Sequence, residues 1–346
     1  MVKPLIAITA GDPCGIGPEI TAKALALPEI YEQCRPLVIA DAGLMCEAVK
    51  IAGVNLAVRA VSSPAEGRYD YGTIDVLDLQ NVDLSQLEYG KVTRMGGEAS
   101  FQYIAKAIEL ALAGEVDAVT TGPINKEAIN LAGHHYAGHT EIFADLTKTR
   151  DYCMMLIDKN FRVSHVTTHV AYSQVPLLIK KERVLKVIEL THNALLKMGI
   201  ASPRIAVAGL NPHAGEDGLF GREEIEEIAP AIAAARSRGM QVDGPVSPDT
   251  IFVKLHGGQY DAVVAMYHDQ GHIPTKVIGF QYDNATGKWG SVAGINITLG
   301  LPIIRTSVDH GTAFGKAGKG TANPESMVDA LKMAIRLVRE GNARSK

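Results

Sequence analysis

The sequence predicts an α/β protein whose strands run mainly in parallel and are covered on both faces. Three observations predict it. Short β-branched runs recur along the chain without the alternation of a half-exposed strand. Longer segments with apolar residues at helical spacing lie between them. The composition, with 34 glycines, 5% aromatic and 47% hydrophobic residues, suits an α/β chain rich in glycine turns better than a disordered one.

The first run, at 5–9, leads into AGDPCGIGPEI. There Gly11, Gly15 and Gly17 permit a tight turn, Pro18 suits a first helical turn and Glu19 suits its dipole. This is neither a Walker A loop nor a GxGxxG fingerprint, and alone it fits a structural turn as well as a ligand loop. Further buried strands are expected at 37–40, 118–121, 163–167, 205–208 and 262–265. Phe101, Ile104, Ala105, Ile108 and Leu112 form one helical stripe. Val184, Val187, Ile188, Thr191 and Leu195 form another, with Gly199 as its stop. Segments 223–238 and 324–339 add two more helices, and this alternation argues for α/β layers with parallel strands. Segment 281–294, QYDNATGKWGSVAG, has no period and many turn residues, so a surface loop is expected there.

Several classes are set aside. The net charge is −4 and the basic residues are not clustered, so a nucleic-acid footprint is absent. No apolar run is long enough to span a membrane, and the first residues lack the pattern of a signal peptide. Cys14, Cys34, Cys46 and Cys153 show neither CxxC pairing nor zinc-finger spacing. They suit buried, reduced thiols, and the cytoplasm is the expected location.

Three histidines stand just beyond strand-like runs: His169 in TTHV, His213 in GLNPHAGEDG and His268 in AMYHDQG. Singly, each is an ordinary loop residue. At equivalent strand ends, three neutral imidazoles make a site for a divalent ion with positions left open for substrate oxygens. Zinc, cobalt, manganese and magnesium are not distinguished. A second group suits an anion: His139 and Thr140 in GHTEIF, Lys276, and Arg305 in LPIIRTSVDHGTA.

Taken in order, AGDPCGIGPEI, TTGPINKEAIN, GHTEIF, TTHV, GLNPHAGEDG, AMYHDQGHIPTK and GINITLGLPIIRTSVDHGTA closely resemble the 4-hydroxythreonine-4-phosphate dehydrogenase family over nearly the whole chain. GIGPEI and HGTAFGKAGKGTANPE carry a fainter likeness to isocitrate and isopropylmalate dehydrogenases. The resemblance implies two α/β/α domains with a cleft between them, not a Rossmann fold. The first domain would take 1–130 with 300–346 and the second 131–299. It implies a homodimer with a shared active site, metal ligands His169, His213 and His268, and substrate positions His139, Thr140, Lys276, Asn296 and Arg305. NAD would lie by Gly11, Asp12, His310, Gly311 and Asn323. The long segment after Gly279-Phe280 resembles the family's second branch, which acts on 4-phospho-D-threonate or 4-phospho-D-erythronate.

The implied reaction is oxidation of a hydroxyl to a 3-keto acid, which loses carbon dioxide to leave dihydroxyacetone phosphate. The ion would act as Lewis acid and the nicotinamide would take the hydride. Asp269 and Lys276 are the candidates for the catalytic base. The runner-up is the vitamin B6 activity of the family's first branch. Rivals from other classes are a metal-dependent hydrolase and a sugar-acid-binding regulator.

Overall fold

The computed structural model describes residues 2–284, 288–292 and 294–344. The chain forms two compact units, Met1–Thr149 with Leu301–Lys346, and Arg150–Gly300. In chain order the strands are β1 (Leu5–Thr9), β2 (Arg35–Ala40), β3 (Ala57–Val61), β4 (Thr73–Asp78), β5 (Ala118–Thr121), β6 (Cys153–Asp158), β7 (Phe161–His165), β8 (Arg204–Ala208), β9 (Gln241–Val246), β10 (Ala262–Ala265), β11 (Phe280–Asp283), β12 (Lys288–Val292), β13 (Ile295–Leu299) and β14 (Arg305–Val308).

In the first unit the strand order is β3-β4-β2-β1-β5-β14, and every neighbouring pair is parallel. β1, β5 and β14 are buried at every position, as is β2 after its first residue, which requires cover on both faces. Helices supply that cover. The helix Arg94–Leu112 begins where the Thr93 hydroxyl accepts the Gly96 N–H, and its buried face includes Tyr103, Ile104, Ala107 and Ile108. The helix Ala42–Ala52 is capped by Asp41 at one end and stops at left-handed Gly53 at the other. Cys46 lies on its exposed face, so of the four cysteines expected to be buried only Cys14, Cys34 and Cys153 are. β4 escapes simple sequence reading because Asp75 interrupts it. That carboxylate is buried because Arg59 Nε and the backbone N–H groups of Arg68 and Tyr69 all donate to it. Residues 131–149, placed with the second domain on sequence, lie in the first unit, where Ile142 and Phe143 join its core.

The second unit holds the order β13-β6-β7-β10-β8-β9. Here the expectation of parallel strands needs correction. β7, β10, β8 and β9 are parallel, but β6 is antiparallel to both β7 and β13. A tight connection through Lys159 and Asn160 joins β6 to β7, and a loop that short can only reverse the chain. β7 also ends at His165, two residues before the expected end. The helix Lys181–Lys197 buries Val184, Val187, Ile188, Thr191 and Leu195, the stripe read from the sequence.

The expected loop at 281–294 is a second correction. β11 and β12 form an antiparallel hairpin, with Tyr282 opposite Trp289 and Asp283 opposite Lys288. Residues 285–287 and 293 of that segment lie outside the described residues. Among the described residues no helix is long and apolar enough to cross a membrane.

Candidate functional site

In the second unit, β7, β10 and β8 are adjacent parallel strands, so the loops at their carboxyl ends leave one edge of the sheet. Those three loops carry His169, His268 and His213 in turn. Such strand ends are where α/β sheets commonly place ligands. The rings of His169 and His268 lie 5.5 Å apart, centroid to centroid. They border a cavity of about 240 Å³ shared with Thr167, Tyr172 and Asp269. His213 is exposed, 6.4 Å from the Phe220 ring, and does not join the pair. Among the described residues no group of three or more His, Cys, Asp or Glu side chains is close enough to hold an ion.

Placement and donor chemistry nevertheless fit a divalent ion. Three imidazoles occupy one sheet edge, and two of them already share a cavity. His169 and His213 both have a positive φ, 49° and 53°. Non-glycine residues pay for that conformation, and such strain gathers at functional sites. The His268 side chain is oriented from both sides. Its Nδ1 lies 2.6 Å from Asp269 Oδ1, and its ring stacks on His272 at 3.6 Å. The Tyr172 hydroxyl donates to the other Asp269 oxygen. These two contacts hold the Asp269 carboxyl below its usual range, Tyr172 contributing first. With Nδ1 engaged, Nε2 is the nitrogen left for an ion.

Lys276 sits two turns along the same helix, His268–Gly279, with its ammonium 4.9 Å from the Phe280 ring centre. Asn296 pairs with Leu156 across β13 and β6. Its Oδ1 is buried and has no hydrogen-bond partner among the described residues. A buried acceptor of this kind calls for a donor from a ligand or water.

The first unit gathers a different set. Arg305 opens β14 and is 2% exposed. One guanidinium nitrogen donates to Thr121 Oγ1 at 2.9 Å, and the group lies over the Phe143 ring at 5.4 Å. Burial pulls its pKa down to about 9, with the Glu141 carboxylate opposing. The helix His139–Leu146 starts beside it, with His139 and Thr140 in its first turn. Withdrawal from water holds the His139 imidazole well below its ordinary value, and the charges on Arg305 and Lys126 add to this. Its Nε2 is buried without a partner among the described residues. A buried cation, a neutral imidazole and a helix start are groups whose chemistry suits an anion. Sequence reading missed Lys126. It stands in TTGPINKEAIN, but only the fold brings its charge near enough to act on His139.

The expected cofactor residues share the first unit. Gly11 has φ 79°, and a Cβ there would fall 2.3 Å from the Pro123 carbonyl oxygen, so only glycine fits. Asp12 is 1% exposed, and its carboxylate accepts the Cys14 N–H at 2.8 Å. Burial raises its pKa to about 6, against that hydrogen bond. His310 and Gly311 precede Thr312, whose carbonyl accepts the Ile16 N–H at 3.1 Å. The glycine loop and the 310–323 loop are thus tied together. Glu19 reinforces the tie by accepting the Ala322 N–H, and Lys23 by donating to the Gly320 and Ala322 carbonyls, all at 2.8 Å. Asn323 is exposed and uses its side chain to accept the Glu325 N–H at 2.9 Å.

Comparison with known proteins gives the chain's relatives. The chain is 47% identical over 335 residues to D-threonate 4-phosphate dehydrogenase of Cupriavidus necator, covering 96% of this chain and 97% of that one. The crystal structure of a 4-hydroxythreonine-4-phosphate dehydrogenase from Burkholderia phymatum is similar with a TM-score of 0.81 at 46% identity, covering 97% and 99% of the two chains. That of the Klebsiella pneumoniae enzyme of the same name gives 0.82 at 44%, covering 97% and 100%. Fold and relatives together define a dehydrogenase acting on CH–OH groups. More closely, residues 32–334 match the family described as "Pyridoxal phosphate biosynthetic protein PdxA", and the chain belongs to that family.

Proposed function

We propose that the protein oxidises 4-phospho-D-threonate, and with it 4-phospho-D-erythronate, using NAD and a divalent metal. The observation that carries the reading is buried Arg305 beside neutral His139. A buried guanidinium and an imidazole nitrogen are donors of the kind a phosphate accepts, and a phosphate dianion is the anion of the proposed substrate. The name of the Cupriavidus necator relative points to the same compound.

An ion held by His169, His213 and His268 would supply Lewis acidity, and NAD the hydride acceptor. Arg305, His139 and Thr140 bind the phosphate. Asn296 Oδ1 accepts a hydrogen bond from a substrate hydroxyl. Asp269 is committed to Tyr172 and His268, so we assign it to orienting His268. Lys276 is then the base for the hydroxyl proton. Oxidation removes a hydride from C3 and a proton from its oxygen, leaving a 3-keto acid. The bond to the carboxylate then breaks, carbon dioxide departs, and its electron pair passes toward the ketone. A proton added at the former C2 gives dihydroxyacetone phosphate.

The working unit in this reading is a homodimer with shared active sites. Ile273 and Val277, one turn apart on the helix His268–Gly279, are 61% and 74% exposed, which supports an interface there.

The deciding experiment is a panel of 4-phospho-D-threonate, 4-phospho-D-erythronate and 4-hydroxythreonine 4-phosphate with NAD and one divalent metal. The expected result is the highest kcat/KM on 4-phospho-D-threonate, with one carbon dioxide per NADH. A clear preference for 4-hydroxythreonine 4-phosphate would transfer the protein to vitamin B6 synthesis. Phosphate release without nicotinamide reduction would make it a hydrolase.

A further inference from the structure

The three loops bearing His169, His213 and His268 are joined to one another by other side chains. Thr167 Oγ1, from the first loop, donates to the Met266 carbonyl at 2.9 Å. Met266 N–H donates to Gln270 Oε1 at 2.6 Å. Gln270 Nε2 in turn donates to the Gly209 carbonyl, at the start of the His213 loop, at 2.8 Å. Beyond it, Glu224 accepts the Leu210 and Asn211 N–H groups at 2.7 and 2.8 Å. Gln270 is 8% exposed and Glu224 is 3% exposed, so these bonds are made away from water.

We infer that Gln270 is a positioning residue for the metal centre, setting the loop of His213 against the loop of His268. The inference rests on the metal reading above. Its chemistry is specific to a primary amide. Met266 presents a donor and Gly209 an acceptor, so the side chain between them must accept at one atom and donate at the other. Ionised glutamate keeps the acceptor but sets an anion against the Gly209 carbonyl. Methionine fills the space and satisfies neither backbone group. Asparagine is one methylene short. Gln270 stands two residues after His268 in the first turn of the helix His268–Gly279, so a shift of its amide moves a ligand-bearing segment directly. Groups that orient metal ligands from behind typically change metal affinity about 10- to 100-fold when altered.

The test measures cobalt(II) binding to the metal-stripped protein by competition with a chelator, together with the visible spectrum of the bound ion. Gln270→Glu and Gln270→Met should each weaken cobalt by roughly 10- to 100-fold and change the spectrum. Thr191→Val is the control. It removes a buried hydrogen bond to Ser164, 2.7 Å, in the same unit and leaves the three loops alone. It should lower thermal stability and keep cobalt affinity and spectrum. If one Gln270 variant fails to fold, the other decides. Wild-type affinity and spectrum in a folded Gln270 variant overturn the role of Gln270. With His268→Ala losing cobalt in the same assay, the metal reading survives that result. A wild-type protein that binds no cobalt sinks both.

Discussion

At the scale of residues, charge and burial separate the candidates. Arg305 is a cation almost removed from water, and such a group contributes most when an anion meets it. Charge-assisted hydrogen bonds contribute about 1.5–3 kcal/mol each, so Arg305→Met should lower kcat/KM on the phosphorylated substrate by about 10- to 100-fold. The same substitution should change the weak turnover of unphosphorylated D-threonate far less. Equal losses on both compounds would remove the phosphate from Arg305. Asp12 supplies a pH test. Its native pKa of about 6 lies above the ordinary 3.8 because burial disfavours the charge. The folded state therefore binds the proton more tightly than the unfolded one. This favours the fold below about pH 4 and is lost as pH rises through about 6, where a buried charge remains, a difference of up to about 3 kcal/mol. Asp12→Asn keeps the acceptor for Cys14 N–H and carries no charge. Thermal melts should show the variant gaining on the wild type between about pH 4 and about pH 6 and levelling off above about pH 7. A difference independent of pH would mean that the carboxylate has a stabilising partner when ionised.

At the scale of elements, some were plain in the sequence and others were hidden for identifiable reasons. β1, β5 and β10 fall where unbroken apolar runs put them, because a strand buried on both faces has no polar position to reveal its period. β4 and β9 were missed because Asp75 in one and Gly244-Pro245 in the other imitate turn chemistry. The hairpin β11–β12 was read as a loop for the same reason, since its asparagine, glycines and serine resemble connection residues. Its position between Lys276 and Asn296 in the chain suggests a part in substrate choice. Replacing residues 281–292 with a short turn should alter the relative kcat/KM among the three phosphorylated substrates. Unchanged ratios in a well-folded deletion would make the hairpin an elaboration without catalytic consequence. Caps are tested more simply. Thr93→Ala leaves the Gly96 N–H without its acceptor and should cost about 1 kcal/mol, read as a lower denaturant midpoint at constant slope.

At the scale of the whole molecule, the prediction concerns assembly. A shared site in a homodimer can be rebuilt from two damaged chains. Mixing inactive His169→Ala with inactive Arg305→Ala subunits, after dissociation and reassociation, should restore part of the activity if those residues serve one site from opposite chains. Light scattering should give twice the chain mass. A monomeric mass, with no rescue from this or any equivalent pairing, would contradict a shared site. The sequence by itself determined the α/β class, the covered strands and the family, because apolar runs, helical stripes and ordered motifs are local and need no neighbour to be read. It also put three histidines at strand ends. Only the tertiary structure showed that β7, β10 and β8 are adjacent, that β6 runs against its neighbours, and that the charge of Lys126 acts on His139. It alone revealed Gln270 joining two loops and Asp269 engaged by Tyr172 and His268. Strand adjacency and side-chain hydrogen bonds are relations between residues distant in the chain, and the burial that gives Arg305 and Asp12 their unusual pKa values exists only once the sheet and its helices have closed around them.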